Sequence, residues 1–158
     1  MFGSAAAAPA ATLNPNKDVQ ITPALQDGIS SLAFSPTANI LVATCWDNNA
    51  YCWEINAQTA QATAKASTSN AAPLLCSAWK HDGTGVFTGG CDKTVKLWDL
   101  ASNQQQQVAA HDAPIRHCAW IPALNLLVTG VFQALPGCML AAIVAVAAAE
   151  RRSTRQQS

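Results

Sequence analysis

Three histidines, six cysteines and two aspartates in tight turns are the side chains of this 158-residue chain best suited to chemistry. His111 has the type of a general base or a metal ligand, and Asp47 and Asp92 that of general acids. His117 beside Cys118 suggests a base-activated thiol nucleophile. That last pair fails on geometry, because neighbours on a strand point to opposite faces. Cys45, Cys52, Cys76, Cys91, Cys118 and Cys138 form no C-x-x-C pair and no zinc-type Cys/His spacing. Several sit in apolar strand patterns, where a thiol behaves as a small hydrophobe. The first residues lack the basic and strongly apolar regions of a secretory signal. All six thiols are therefore expected free, in a reducing compartment. There is no Gly-rich phosphate loop, Ser-centred elbow or paired-carboxylate pattern. The expectation is no enzyme, no cofactor and no metal.

The aspartates make sense as parts of a repeat. Ala43 to Ile55 aligns without a gap on Thr88 to Leu100, 45 positions later. Asp47 matches Asp92, Trp53 matches Trp98 and Glu54 matches Asp99. A third copy starts at His111 with an offset of 41: Trp120 matches Trp79, Val128 matches Phe87, Thr129 matches Thr88 and Gly130 matches Gly89. After Val131 the pattern is lost, with Gln133 where Asp92 would be and Met139 where Trp98 would be. Periods in the forties belong to four-stranded propeller blades. The fold class expected is all-β: an incomplete WD-repeat β-propeller of about three blades, with a non-matching C-terminal tail.

In such blades a His before the first strand, a Ser or Thr on the second, an Asp in the turn and a Trp on the third are joined by hydrogen bonds. The second repeat offers Asn70, Thr88, Asp92 and Trp98. The first offers Leu25, Ala43, Asp47 and Trp53, and the third His111 and Thr129 only. Turn-holding is the expected role of both aspartates, and loop-to-strand bonding that of His111. His81 reads as a turn residue beside Asp82-Gly83. Trp53, Trp79, Trp98 and Trp120 recur at repeat spacing and are assigned to packing. Trp46 replaces Cys91 of the next repeat and is the aromatic expected to meet a partner.

Along the chain, residues 1–13 are Ala-rich and expected to be disordered. Residues 14–130 form the repeat region, with repeats at 29–56, 73–103 and 111–130; residues 131–158 form a divergent apolar and basic tail. A short strand is expected over Lys17 to Ile21, where Val19 and Ile21 alternate with polar residues. Ile29, Leu32 and Phe34 are the apolar candidates of the next strand. Residues 57–72 give a polar outer strand or a loop, and Gln104 to Gln107 the polar edge of a fourth strand with Val108 and Ala109 inward. In the tail only Cys138 to Ala149 is continuously apolar, too short to span a bilayer as a helix. Nine basic residues balance nine acidic ones, and Arg151, Arg152 and Arg155 lie at the end, so no basic stripe for nucleic acid is visible.

These residues also resemble a family. N-P-N-K-D-V, I-S-S-L-A-F-S-P, Y-C-W-E, V-F-T-G-G-C-D-K-T-V-K-L-W-D-L-A-S-N-Q and A-A-H-D-A-P-I are similar to the nuclear-pore mRNA export propeller of the Rae/Gle family, over roughly residues 14–130. The resemblance implies a seven-bladed propeller in the nucleus and at the nuclear envelope, with the cytoplasm also open. It implies docking on the GLEBS segment of a nucleoporin, a part in poly(A) RNA export, and contacts with RNA–protein complexes or checkpoint proteins. Members run to more than twice this length, so an open arc of blades is expected. The alternatives are a generic WD-repeat adaptor in a mitotic checkpoint or ubiquitin-ligase complex, and a truncated product without independent activity.

Overall fold

Short apolar runs broken by Asp, Asn and Gly turns fold into three antiparallel meanders. The structure is a computed structural model describing residues 18–22, 24–135 and 138–147, with side chains as far as Val131. The first sheet is β1 (Ile29–Phe34), β2 (Ile40–Cys45), β3 (Asn49–Ile55) and β4 (Ala62–Ser69). The second is β5 (Leu74–Trp79), β6 (Gly85–Gly90), β7 (Thr94–Asp99) and β8 (Gln104–Ala110). The third is β9 (Ile115–Ile121), β10 (Leu126–Leu135) and β11 (Cys138–Ala147). Strands pair in chain order within each sheet.

The repeat is a repeat of backbone as well as of sequence. Asn48 and Lys93, 45 positions apart, both take left-handed backbone, with φ of 73° and 65°. The Asn70 N–H donates to Asn48 O at 2.8 Å, and the His111 N–H donates to Lys93 O at 2.9 Å, so each linker is tied back to the preceding turn. The first strands lie side by side, β1 against β5 and β5 against β9, as the inner strands of adjacent blades do.

Two apolar seams hold the sheets together. Val42, Ala50 and Cys52 of the first sheet meet Leu74, Trp79, Val86 and Trp98 of the second. Cys76, Phe87 and Val95 of the second meet Ile115, Leu127 and Val131 of the third. Thus Trp98 faces back and Val95 forward, the alternation expected along β7, with Leu97 beside Val95 against the second seam. Trp79 adds an indole N–H bond to Ala33 O of the first sheet at 3.0 Å. Val108 and Ala109 pack against the second seam.

Three expectations are corrected. Residues 18–21 form no ladder, because no described strand lies beside them. Ile29, Leu32 and Phe34 do form β1, yet they are 53%, 59% and 62% exposed. Their equivalents Leu74 and Trp79 are buried because the first sheet covers them. No described sheet covers the matching face of the first sheet. There Ile29, Leu32, Leu41 and Trp53 line a hollow of about 440 Å³ together with Ile21 and Leu25. Third, the change of character after Gly130 falls inside β10. With Gln133 in place of the turn aspartate, β10 runs on to Leu135 and pairs with β11 from Leu126↔Ala147 to Leu135↔Cys138. The expected disorder of residues 1–13 and the basic end at 151–158 lie outside the described residues.

Candidate functional site

The turn aspartates and the residues around them form one end of the sheets. Asp47 accepts the Asn49 N–H at 2.9 Å and the Tyr51 hydroxyl at 2.7 Å. Asp92 accepts the Thr94 N–H at 3.0 Å and pairs with Lys96 at 3.4 Å. Tyr51 and Lys96 are equivalent positions, four residues after each aspartate, where a strand's alternation puts them on the aspartate's side. The 45-residue alignment carries that signal, since it places Tyr51 on Lys96. Lys96 also donates to Asn70 Oδ1 at 2.6 Å, so Asn70 and Asp92 meet through a lysine.

The structure does not close the rest of the expected hydrogen-bond chain. The Trp98 indole N–H goes to Asn103 Oδ1 at 2.9 Å, at the opposite end of β7 from Asp92. The Thr88 hydroxyl and the Trp53 indole N–H are buried with no partner among the described residues. In the third sheet, His111 Nε2 and Thr129 Oγ1 do meet, at 2.9 Å. His81 lies edge to edge with Trp120, its ring nearly parallel to the indole, and accepts the indole N–H on Nδ1 at 3.1 Å, a contact between sheets that no sequence feature announced.

Burial alone raises the Asp47 pKa, but the Tyr51 hydroxyl and the Asn49 N–H outweigh it and hold the carboxyl below its ordinary value. A depressed folded pKa gives stability that is present above the unfolded value, about 3.9, and is lost as pH falls through the folded value. Melting temperature should therefore fall below about pH 4, and Asp47→Asn should flatten that fall while lowering the melting temperature at pH 7. An unchanged acid profile in the variant would refute the assignment.

Trp46 follows β2, its backbone N–H bonded to Gly28 O at 3.0 Å. Trp46 is 47% exposed. With Ile29, Ser30, Leu75, Arg116 and His117 it lines a cleft of about 350 Å³ to which all three sheets contribute. Arg116 is exposed and forms no ion pair among the described residues. The cleft brings together an aromatic face, two aliphatic side chains and one cation that has no ion pair among the described residues. His117 opens into this cleft whereas Cys118 packs against the second seam, on opposite faces of β9. Among the described residues no group of His, Cys, Asp and Glu could hold a metal ion. No described helix is long and apolar enough to cross a membrane.

The WD domain, G-beta repeat pattern matches residues 17–54 and 63–99. Protein RAE1 of Arabidopsis thaliana is 54% identical over 111 residues, which is 69% of this chain and 31% of that protein. The mRNA export factor of Macaca fascicularis is 44% identical over 128 residues, 79% of this chain and 34% of that one. The chain spans about a third of the length of these relatives. Among solved structures, that of U3-55K superposes with a TM-score of 0.61 at 14% identity, covering 79% of this chain and 41% of it, a likeness of fold. The blade geometry and these identities show a WD-repeat protein that resembles RAE1 and the mRNA export factors over the third of their length that it spans.

Proposed function

We propose that this chain is a protein-binding WD-repeat scaffold in mRNA export, which docks a nucleoporin segment of the GLEBS type at the nuclear pore. The observation that carries this reading is 44% identity over 128 residues with proteins named mRNA export factor. The cleft around Trp46 supports it with a place to bind, since exposed tryptophan and arginine are the residues that most often dominate interfaces. The role is one of bridging, and it assigns no side chain to catalysis.

The test is a titration of the chain with a GLEBS peptide, together with the position of a fluorescent fusion in cells. Binding and a nuclear-rim signal are expected. Trp46→Ala should weaken binding at least about tenfold, the loss of one interface anchor, while leaving the melting temperature within a degree or two. No binding by the wild-type chain overturns the nucleoporin reading. Capture of checkpoint or ubiquitin-ligase components in its place would move the chain to the generic adaptor class.

A further inference from the structure

We propose that Cys76 and Cys118 are a modification site, a thiol pair that a hydroperoxide joins into a disulfide across the seam between the second and third sheets. Cys76 lies on β5 and Cys118 on β9, the two inner strands that run side by side. Cys76 belongs to the buried cluster at that seam and Cys118 packs against it. The Cys76 Sγ donates to Gly89 O at 3.7 Å and to Ile115 O at 3.8 Å, and the Cys118 Sγ donates to Phe87 O at 3.9 Å. Each cysteine thus bonds to the backbone of this one seam.

The repeat supplies an independent measure of how near these positions come. One repeat back, Cys76 corresponds to Ser31 and Cys118 to Ser77. Those two hydroxyls hydrogen-bond at 2.9 Å across the first seam. The second seam places thiols where the first places hydroxyls, and side chains that close meet the main demand of disulfide geometry. The neighbouring Cys76 thiol, and then burial, push the Cys118 thiol well above the usual range. The other described cysteines lie elsewhere. Cys45 bonds to Asp27 O, and Cys52 packs in the first seam.

The chemistry balances with hydrogen peroxide as oxidant. Cys118, the more exposed of the two, gives its proton to water, and its sulfur attacks one peroxide oxygen. The O–O bond breaks, leaving a sulfenic acid and hydroxide, which takes up a proton. The Cys76 sulfur then attacks the sulfenic sulfur, the S–O bond breaks and a second water leaves. Two thiols are oxidised and one peroxide is reduced. The scarcity of thiolate makes the first step slow, so the pair responds to sustained peroxide rather than to brief exposure.

The test is peptide mapping of the whole chain after hydrogen peroxide, with remaining thiols alkylated before digestion. A linked Cys76–Cys118 pair is expected, two hydrogens lighter than the separate thiols and split by dithiothreitol. The oxidised chain should melt about 5–10 °C higher, the gain from closing a loop of this length. Cys76→Ser and Cys118→Ser should each abolish the linked pair and the shift. Serine already serves at both equivalent positions of the first seam, so these variants keep a hydrogen-bonding pair there. Both thiols still open to alkylation after peroxide, or links mainly to other cysteines, would overturn the proposal.

Discussion

Trp98→Ala is expected to lower the unfolding free energy by about 3–5 kcal/mol, the cost of emptying a large core site. The side chain is fully buried, and it packs among Val42, Leu74, Trp79 and Val86 where the first and second sheets meet. Removing it opens a cavity that two sheets must close together, and both are fixed by their own ladders. The lost hydrogen bond adds little, because its acceptor Asn103 is exposed and turns to water. The comparison that isolates the seam is Phe34→Ala. Phe34 is the equivalent of Trp79, yet it is 62% exposed, and its loss should cost less than about 1 kcal/mol. Urea denaturation followed by tryptophan fluorescence measures the Phe34 variant, and circular dichroism the Trp98 variant. Similar losses in the two would mean that the open face of the first sheet is packed as tightly as the seams.

That contrast shows where sequence reading succeeds and where it stops. The blades were legible because the repeated Asp-to-Trp spacing encodes a turn and a strand locally, and a turn forms from its own residues. Burial was legible only where the repeat supplies the cover. Ile29, Leu32 and Phe34 have the side chains of a covered strand, and nothing in their types tells whether a neighbouring sheet is there. The candidate cleft was only half visible in the sequence. Trp46 stood out as an aromatic where the next repeat has a cysteine, but Arg116 and His117 reach its cleft from a strand seventy residues on. Such a meeting depends on how sheets are placed around an axis, which no local pattern carries. Lys96 and Tyr51 were missed for another reason. The expected Trp lies six residues on, at the far end of the strand, whereas the second residue on the aspartate's own side, four residues on, is the one that reaches it. In the third sheet the loss of the turn aspartate was visible, and its consequence, a longer hairpin, follows because nothing in the chain stops β10 at Gly130.

Gly90→Ala is the second large effect, expected to cost about 3 kcal/mol, the upper range of overpacking. Gly90 ends β6, opposite Leu74. A methyl group there would sit 2.3 Å from Pro73 O and 3.0 Å from the Leu74 Cα. Both are backbone atoms, so no side chain can swing aside to relieve the clash. The same Pro73 carbonyl accepts the Cys91 N–H at 2.9 Å, and Gly90 O accepts the Lys93 N–H at 3.2 Å. Shifting either strand therefore loosens the turn that Asp92 holds, and the damage spreads from one contact to a hairpin. Gly28→Ala is the control, since its methyl would meet only the Trp46 ring at 3.6 Å, an ordinary contact. That variant should stay within about 0.5 kcal/mol of wild type. A Gly90 variant as stable as the Gly28 one would show that β5 and β6 can part by several tenths of an ångström without cost, and the close pairing of these two strands would then not be what sets the blade.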